Sequence, residues 1–576
     1  MRSLDAVRNV ELKVGLEVHV ELACASKLFT NIPNPAAWSF RPAPDRPIAP
    51  ATPATPATPA TPDEDYAPNT LIDPVVLALP GALPVLNREA VELSMMVGLA
   101  LNCRIASTTK WDRKSYFYPD LPKAYQISQY DLPVCYDGSV ELPPTNAQGE
   151  IDFAAWCAAA EHSPLTPARR VGIIRAHLEE DAGKLLHELP SGFDSGGAPL
   201  DGSIIDFNRA GTPLLEIVTQ PEFTAADDVV AFAQMLRHLC RFIGASEGVM
   251  QKGHMRFEPN INTILTLADG RRIATPVVEV KNLNSFKAVK GAIEFELREQ
   301  PARWARDGRE FGRGMKVTRG WDDARNETFI QREKEDADDY RYFPDPDLPA
   351  IAIDEDWVAR ARRRVGELPI LRARRFVRDW ALPAPQAAAM IEEPGVCALF
   401  EQSVAAAQSR GVEASRAARA CANLLLQNAQ KRANERTSER IQQAQAAGRS
   451  GATVRPVLVS DLGLAADSLG ALAALRESGA ISAQSADELL GHLCDSPGQP
   501  AEVEALAGDR GMLIVRDDNA LASWCEQAIR DNAQSAADVR AGKLQAVGRL
   551  VGAVMKLSGG AADAAQVRER LLSMLK

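Results

Sequence analysis

Residues 12–22 read LKVGLEVHVEL, and this stretch decides the fold of the N-terminal part of the chain. Its apolar residues occupy every even position from Leu12 to Leu22, while Glu17, His19 and Glu21 occupy odd positions. Side chains alternate between the two faces of a β-strand, so this unbroken alternation predicts a strand with one buried face. The other face then carries carboxylates around an imidazole, an arrangement that is also common on the solvated side of a sheet.

A second segment repeats this arrangement in residues 171–180, which read VGIIRAHLEE. The alternation assigns two sets of residues to opposite faces of the predicted strand: Ile174, Ala176 and Leu178 to one, and Arg175, His177 and Glu179 to the other. Glu179, Glu180 and Asp181 are consecutive, and like charges this close stay ionised only when a cation compensates them. Mg²⁺ is the expected cation, because it takes carboxylate oxygens while it shares the phosphates of a nucleotide.

A third strand is predicted within residues 276–286, PVVEVKNLNSF, where Glu279 and Lys281 share one face and Val278 and Val280 share the other. A single glutamate on a strand is weak evidence for a functional site. Three strands that each present carboxylates beside a histidine or a lysine indicate one convergent site, which could hold a divalent ion beside a nucleotide.

Two further segments are dense in charged and aromatic side chains. Residues 111–131, WDRKSYFYPDLPKAYQISQYD, place Arg113, Lys114 and Lys123 among tyrosines and a phenylalanine. Cations among aromatic rings suit phosphate contacts and base stacking, although a tyrosine-rich loop packed on the core gives the same pattern. Residues 335–347, EDADDYRYFPDPD, combine acids, Arg341 and aromatic rings with prolines, which is also typical of a rigid turn.

The length and composition restrict the class of protein. At 576 residues, with 46% apolar and 24% charged residues, the chain is typical of a globular protein of several domains. Acidic residues outnumber basic ones by 76 to 65, which excludes a generally basic nucleic-acid coat but allows a local basic patch. No apolar run reaches the ~18 residues of a membrane span, and the nine cysteines are scattered singly. We therefore expect a cytoplasmic protein without membrane contact or a disulfide framework.

The composition changes along the chain and predicts an α+β protein. Residues 1–356 are rich in alternating patterns and turn residues, which predicts a domain around a β-sheet. Residues 357–509 are rich in Ala, Leu, Arg and Gln, which predicts an all-helical domain, and residues 510–576 predict a small helical tail. Four Ala-Thr-Pro repeats at 51–62 lie in a proline-rich insertion at about 41–66, which is expected to be an inert, polyproline-II-like surface segment.

Six long motifs occur in order along the chain, and together they resemble one known family. They read GLEVHVEL, DRKSYFYPDLPKAYQISQYD, HLEEDAGKLLH, DFNRAGTPLLEIV, EVKNLNSF and DDYRYFPDPDLP. In these motifs, and in RAGKLQAVGRLVGAVMKLSGG near the C-terminus, the sequence is similar to the GatB family, the B subunits of the aspartyl/glutamyl-tRNA(Asn/Gln) amidotransferases. The resemblance is strong over about residues 10–350 and 530–560 and faint through the helical middle.

The resemblance implies a cradle-shaped α/β catalytic domain, an all-helical domain and a tail that contacts tRNA. It implies that the chain uses ATP and Mg²⁺ to phosphorylate the side-chain carboxylate of Glu-tRNA(Gln), Asp-tRNA(Asn) or both, and that ammonia then displaces the phosphate. It also implies two partners, an amidase (the A subunit) that frees ammonia from glutamine and a small C subunit. A carboxylate-rich pocket agrees with this chemistry, because a carboxylate must be phosphorylated to acquire a good leaving group.

The resemblance also implies roles for individual residues. The expected catalytic residues are Glu17, His19, Glu179, Glu180 and Glu279. The expected metal ligands among them are His19, Glu180 and Glu279. The residues expected to face phosphate or the substrate carboxylate are Arg113, Lys114 and Lys281, and those expected to contact tRNA in the tail are Arg540, Lys543, Arg549 and Lys556.

The chain departs from the family pattern at two kinds of position. Many members carry cysteine pairs suited to zinc where this chain reads SKLFTNIP and IDPVVLALPGALPV, with Asp73 and Val76 instead of thiols, so no zinc is expected. Residues 251–253 read QKG in place of a usual acidic EEG, and Glu258 replaces a usual aspartate.

Two other interpretations stay open beside the catalytic role. The first is a divergent, non-catalytic tRNA-binding scaffold of the same complex, which Lys252 and the Ala-Thr-Pro insertion would favour. The second is a free-standing ATP-dependent ligase for a small carboxylate, which would turn over ATP without tRNA. The sequence leaves open whether Glu-tRNA(Gln), Asp-tRNA(Asn) or both are substrates.

Overall fold

A computed structural model of the chain describes most of its length. The described residues are 4–37, 66–162, 169–186, 202–312, 315–333, 340–446, 454–495, 502–514, 518–558 and 562–575. The Ala-Thr-Pro repeats lie outside them, so the expected form of the insertion stays a prediction. The chain forms two compact units, Met1–Arg374 and Arg375–Lys576. The expected division into 1–356, 357–509 and 510–576 also stays a prediction.

The first unit is built mainly of β-strands. Its strands are β1 Val7–Glu21, β2 Arg104–Ile105, β3 Thr108–Thr109, β4 Asp112–Ser115, β5 Tyr125–Ser128, β6 Cys135–Glu141, β7 Arg170–Glu180, β8 Lys184–Leu186, β9 Ile204–Asp206, β10 Pro213–Thr219, β11 Met255–Leu267, β12 Arg272–Ala274, β13 Val278–Lys281, β14 Val317–Asp322, β15 Glu327–Glu333, β16 Phe343–Pro344 and β17 Ile351–Ala352. Its helices are α1 Arg88–Ala100, α2 Phe153–His162, α3 Ala226–Phe242, α4 Phe286–Asp307 and α5 Glu355–Val365, and α6 Pro369–Trp380 contains the boundary between the units.

A large mixed sheet forms the framework of this unit. Its strands follow the order β15-β14-β13-β11-β1-β10-β7-β6-β2, with β12 beside β11. Only the β13–β14 pairing among the described strands of this sheet is parallel. The strand predicted from residues 12–22 is confirmed, because β1 includes nearly all of it and the side chains of Val14, Leu16, Val18 and Val20 are buried. The strands predicted in the other two segments are confirmed as β7 and β13.

One residue of β7 departs from the predicted alternation. The pairing of β7 with β10 shifts by one residue between Arg175 and Ile173, so Ile174 is the extra residue of a β-bulge. Ile174 is 40% exposed, whereas Ile173 is buried with Ala176. The prediction that Ile174 shares a buried face with Ala176 and Leu178 is therefore wrong.

Helices pack against the apolar face of the sheet. Trp304 of α4 packs in one cluster with Leu265 of β11, and the ring of Phe286 at the start of α4 lies 5.7 Å from that of Phe257. Farther along the sheet, α1 packs against β6 and β7, and α3 packs against α4. Each fully buried apolar side chain of this size contributes about 1.5–3 kcal/mol, so the apolar face holds the sheet together.

A small sheet brings together the two aromatic-rich segments. Strand β4 pairs with β5 on one side and with β16 on the other. Across the second pairing Arg113 lies opposite Phe343, and the stacked rings of Tyr130 and Tyr342 lie 4.5 Å apart. Residues far apart in the sequence thus form one aromatic and cationic surface beside the large sheet.

The second unit is helical in its described residues. Its helices are α7 Ala384–Met390, α8 Pro394–Gln408, α9 Ala414–Asn423, α10 Gln430–Ala446, α11 Ala466–Glu477, α12 Ala483–Asp495, α13 Val503–Asp509, α14 Asp518–Asp531, α15 Ala533–Arg540, α16 Val547–Leu557 and α17 Ala564–Leu575. A π-helical turn, Leu424–Ala429, joins α9 to α10. The last four helices share one core that includes Cys525, Leu550 and Leu571.

The α+β fold class predicted from the sequence is confirmed: a domain around a β-sheet is followed by a helical region. All nine cysteines lie in the described residues and are free thiols, which agrees with the expected lack of a disulfide framework. Across the described residues, no helix is both long enough and apolar enough to cross a bilayer.

Candidate functional site

Charged residues of five neighbouring strands meet on the polar face of the large sheet. In one row, Glu17 of β1 lies opposite Glu258 of β11 on one side and Val218 of β10 on the other. Val218 in turn lies opposite Arg175 of β7. Residues directly opposite each other on paired strands point to the same face, so pairing collects these charges into one surface.

The next row contains the histidines. His19 lies opposite Glu216 and Arg256, and Glu216 lies opposite His177. Potential ligand atoms of His19, Glu179 and Glu216 all lie within 4.8 Å of one another, and we call these three residues the histidine cluster. His19 Nε2 is 3.4 Å from Glu216 Oε2, and His177 Nε2 is 3.7 Å from a carboxylate oxygen of both glutamates.

The histidine cluster balances its charge with protons. Burial lowers the pKa of His19, but the hydrogen bond to Glu216 and the charges of Glu258 and Glu216 outweigh burial and raise that pKa to about 9. Burial raises the pKa of Glu216, yet the charges of His177 and His19 and the hydrogen bond from His19 hold it well below its usual range. The two residues therefore form an imidazolium–carboxylate pair at neutral pH.

A second group of acids lies beside the first. Carboxylate oxygens of Glu17, Glu258 and Glu279 lie within 4.8 Å of one another, and we call these three residues the carboxylate cluster. The two clusters adjoin, because His19 Nδ1 is 3.9 Å from Glu258 Oε1. Asn260 joins the carboxylate cluster by donating from Nδ2 to Glu17 Oε1 at 2.9 Å.

Two lysines balance the charge of the carboxylate cluster. Lys281 Nζ donates to Glu258 and lies 3.1 Å from Glu279 Oε1. Lys316 Nζ lies 3.4 Å from Glu279 Oε2 and 3.7 Å from Glu17 Oε1. Burial lowers the pKa of Lys281, but the charges of Glu258 and Glu279 raise it well above its usual range.

The carboxylate cluster fits a divalent cation. Its three carboxylates supply the oxygen ligands that Mg²⁺ prefers. Asn260 Oδ1 beside them and His19 Nδ1 at the border of the two clusters are buried and have no hydrogen-bond partner among the residues that the structure describes. Buried polar atoms without a hydrogen-bond partner are uncommon inside proteins, and a bound ligand would supply the partner that these two atoms lack.

The structure separates the three metal ligands expected from the resemblance. His19 belongs to the histidine cluster and Glu279 to the carboxylate cluster, whereas Glu180 belongs to neither. Glu180 Oε2 is 2.5 Å from Lys123 Nζ, and its Oε1 accepts a hydrogen bond from Ile127 N at 3.0 Å. Adjacent strand residues point to opposite faces, so Glu179 reaches the histidine cluster and Glu180 does not. The catalytic role of each residue stays a prediction.

The cations expected to face substrate differ in their partners. Arg113 is held by Asp345 at 2.8 Å and Asp347 at 2.9 Å. Lys114 Nζ lies 5.0 Å from the ring centre of Tyr340. Burial lowers the pKa of Lys114, but the charge of Glu179, first among its acidic neighbours, raises it well above its usual range. Their contacts with substrate, like that of Lys281, stay predictions.

Sequence reasoning misses two cluster members and one of the lysines. Glu216 is the only charged residue of β10, and a lone acid in an apolar strand is the signal that could have identified it. Glu258 stands out in the sequence only as a departure from the family pattern. The sequence around Lys316 shows no pattern that singles it out. Its place beside Glu17 and Glu279 depends on the parallel pairing of β13 with β14.

The places that depart from the family pattern are stabilised by hydrogen bonds. Thr30 Oγ1 donates to Asp73, and Val76 N donates to Asp73 Oδ1 at 2.8 Å. The two segments are thus joined by hydrogen bonds, and the expectation that no zinc binds there stays a prediction. Lys252 is exposed at the end of a short 3₁₀ turn, Met250–Lys252.

The basic residues singled out in the tail are all exposed. They are Arg540 at the end of α15, Lys543 after it, and Arg549 and Lys556 on α16. Lys543 Nζ lies 3.0 Å from Asp538 Oδ1. Their contact with tRNA stays a prediction.

Family models match most of the chain. Residues 12–359 match the GatB/GatE catalytic domain, and residues 409–575 match the GatB domain. The chain belongs to the GatB family. Every residue of the two clusters lies within the part that matches the catalytic domain. The resemblance inferred from the six motifs is therefore confirmed.

Full-length relatives of the GatB family agree with this result. The chain is 36% identical over 563 residues to the aspartyl/glutamyl-tRNA(Asn/Gln) amidotransferase B subunit of Rhodopirellula baltica, covering 98% of this chain and 96% of that one. It is 37% identical over 566 residues to the protein of the same name from a Janthinobacterium species, covering 98% and 99%. It is 34% identical over 568 residues to the one from Bacillus pumilus, covering 99% of each.

Proposed function

We propose that this chain is the carboxylate-activating subunit of a tRNA-dependent amidotransferase. With ATP it phosphorylates the side-chain carboxylate of the amino acid on Glu-tRNA(Gln), Asp-tRNA(Asn) or both. The observation that supports this most is the pair of adjoining clusters on one sheet face, within the region that matches the GatB/GatE catalytic domain.

The proposed reaction has two steps. A carboxylate oxygen of the substrate attacks the γ-phosphorus of ATP, the bond from that phosphorus to the β-phosphate oxygen breaks, and ADP leaves. Ammonia then attacks the carboxyl carbon, the bond to the phosphate oxygen breaks, phosphate leaves, and the nitrogen loses a proton. The overall activity is that of an ATP-dependent carbon–nitrogen ligase.

The chain's own residues supply positioning and charge. Lys114, Lys281 and Lys316 would attract the anionic reactants to the polar face. Glu17, Glu258 and Glu279 would hold Mg²⁺, with Asn260 beside them. When bound, Mg²⁺ neutralises negative charge on the phosphates. The imidazolium of His19, fixed against Glu216, would offset part of the negative charge of the histidine cluster at neutral pH.

The proposed function also implies partner proteins and a cellular location. An amidase, the A subunit of the complex, would supply ammonia from glutamine, a small C subunit would complete the assembly, and the exposed tail cations would contact the tRNA. The relatives are named as one subunit of an amidotransferase, which supports an assembly of several chains. Reaction in the cytoplasm agrees with nine free thiols.

The test is an amidation assay with the complex of all three proteins. We expect ATP- and glutamine-dependent conversion of Glu-tRNA(Gln) or Asp-tRNA(Asn), with one ADP formed for each amide. Glu279→Gln should reduce the rate by about 10²–10³-fold, because it removes one of the carboxylates that would hold Mg²⁺ against the phosphates. The control Glu294→Gln makes the same change on an exposed part of α4 and should leave the rate unchanged.

Two outcomes would contradict the proposal. If the wild-type complex amidates but Glu279→Gln is fully active, the scaffold interpretation gains support, since the clusters are then dispensable. If the chain turns over ATP with a small carboxylate and without tRNA, the free-standing ligase is favoured.

A further inference from the structure

Arg175 is a basic residue on the cluster-bearing face of β7 to which no role has been assigned. It follows the bulge at Ile174 and precedes His177 and Glu179 at strand spacing. The register with β10 places it in the row of Glu17, with Val218 between them. Neighbouring strands lie about 4.8 Å apart, so the backbones of Arg175 and Glu17 are about 10 Å apart.

Within the described residues, the guanidinium of Arg175 has no carboxylate or carbonyl partner. Its Nε is buried without a hydrogen bond. Other arginines around the sheet have partners for their guanidinium: Arg256, whose Nε is likewise buried without a hydrogen bond, has Nη2 2.5 Å from Asp181 Oδ2, and Arg209 donates to the carbonyl oxygens of Ala182 and Gly183 at 2.9 Å. Arg175 is half-buried, and a guanidinium at such a place that is not held by a protein acceptor can pair with an anionic ligand.

The surroundings of Arg175 are suited to an anion. Its charge, together with that of Lys114, acts on the hydroxyl of Tyr342. Burial raises the pKa of Tyr342 to about 12 although both cations oppose the rise. Two cations, Lys114 and Arg175, and two carboxylates of the histidine cluster, Glu179 and Glu216, thus act on one half-buried ring, which is stacked on Tyr130. On the neighbouring strand β10, Val218 lies opposite Arg175, and its apolar side chain has no hydrogen-bond acceptor that would compete with an anion for the guanidinium.

We propose that Arg175 binds the anionic group of the substrate that reacts at the clusters, either a phosphate of ATP or the side-chain carboxylate of the aminoacyl-tRNA. A guanidinium presents two parallel N–H donors that match either anion in a bidentate pair. Arg175 and the carboxylate cluster lie on the same sheet face, with the backbones of Arg175 and Glu17 about 10 Å apart across two strands. This inference rests on the proposed function, and it adds a substrate-binding residue to it.

The experiment compares Arg175→Gln and Arg175→Lys in the complete complex. Arg170→Gln is the matched control, because Arg170 begins the same strand but is exposed. The Kd of ATP is measured by equilibrium dialysis, and the Kd values of Glu-tRNA and uncharged tRNA are measured by filter binding. KM values for ATP and Glu-tRNA are measured separately.

We expect Arg175→Gln to weaken one ligand by about 10–100-fold, the loss typical of a charge-assisted pair. If the anion is a phosphate, the Kd and KM of ATP rise. If it is the carboxylate, those of Glu-tRNA rise while the Kd of uncharged tRNA stays constant. The affinity of Arg175→Lys for that ligand should lie between those of the wild type and Arg175→Gln, because lysine keeps the positive charge but lacks the two parallel N–H donors of a guanidinium.

A structural role would give a different result. Arg175 has no side-chain hydrogen bond or ion pair to lose in the described part of the chain, so the Tm of Arg175→Gln should stay within about 2 °C of the wild type. Kd and KM values within twofold of the wild type, or lost binding accompanied by a Tm lowered by more than about 5 °C, would overturn the inference. An inactive wild-type complex would instead refute the proposed function, and the Kd values would still decide the role of Arg175.

Discussion

The histidine cluster and the carboxylate cluster lie side by side on one sheet face, yet they balance negative charge in different ways. The histidine cluster uses a proton on His19, whose pKa lies near 9. The carboxylate cluster uses the ammonium groups of Lys281 and Lys316. The protonation of His19 changes with pH, whereas a lysine side chain can move away from the carboxylates when a divalent ion binds them. We therefore expect the carboxylate cluster to bind the cation and the histidine cluster to respond to pH.

The largest effect expected from this comparison concerns the Mg²⁺ requirement. Glu258→Gln removes an oxygen charge from the carboxylate cluster and should raise the Mg²⁺ concentration for half-maximal amidation by about tenfold or more. The matched change in the histidine cluster, Glu216→Gln, should alter that concentration by less than about threefold. Equal shifts in both variants, measured by titrating Mg²⁺ at saturating ATP, would show that the clusters do not divide their roles.

A second prediction concerns pH and stability. The folded protein holds the His19 proton up to about pH 9, against an ordinary pKa of 6.5. Its contribution to the free energy of unfolding is therefore complete below pH 6.5 and is lost as the pH rises through 9. Glu216→Gln removes the hydrogen-bonded carboxylate that holds this proton. The fall in stability between these pH values should become shallower, by up to about 1.4 kcal/mol per pH unit.

The measurement combines urea unfolding at several pH values with an NMR titration of His19. In Glu216→Gln the His19 titration should move from about 9 toward lower pH, because burial then acts with less opposition. Glu294→Gln, on the surface of α4, should leave both the slope and the titration unchanged. An unchanged His19 titration in Glu216→Gln would show that Glu216 does not hold the proton.

The smallest effect is expected from Lys316, whose side chain is about one-third exposed. Lys316→Met should change the free energy of unfolding by less than about 1 kcal/mol, because partly exposed ion pairs contribute little. It should nevertheless tighten Mg²⁺ binding by a few-fold, since it removes a cation that competes for the same oxygens. Weaker Mg²⁺ binding in calorimetry would mean that the lysine assists the ion rather than excluding it.

The framework of this site is predictable from the sequence, but the grouping of its side chains is not. Alternation alone identifies β1 and places Glu17 and His19 on its polar face. Which acids meet them depends on strand order and register, and these involve residues more than 150 positions away, such as Glu216 and Glu258. The family resemblance predicts Glu180 as a ligand, whereas in the structure its neighbour Glu179, which has the opposite orientation, lies in the histidine cluster.

The bulge is unpredictable for a different reason. Ile173 and Ile174 are both apolar, so the sequence pattern fits either residue in the buried position. Only the pairing with β10 decides between them, and it buries Ile173. The sequence anticipates the aromatic surface as two separate segments, and the small β4 sheet that unites them depends on the long-range pairing of β4 with β16.

The extra residue at position 174 divides β7 into two parts that can change independently. On the C-terminal side, the ladder that carries His177 and Glu179 is fixed by its own pairing with β10. On the N-terminal side, Val171 and Ile173 belong to the apolar core and are paired mainly with β6. An insertion or deletion of one residue at this bulge would alter β7 only locally. The end of the strand that carries His177 and Glu179 can then stay unchanged in evolution while the packing at its other end diverges.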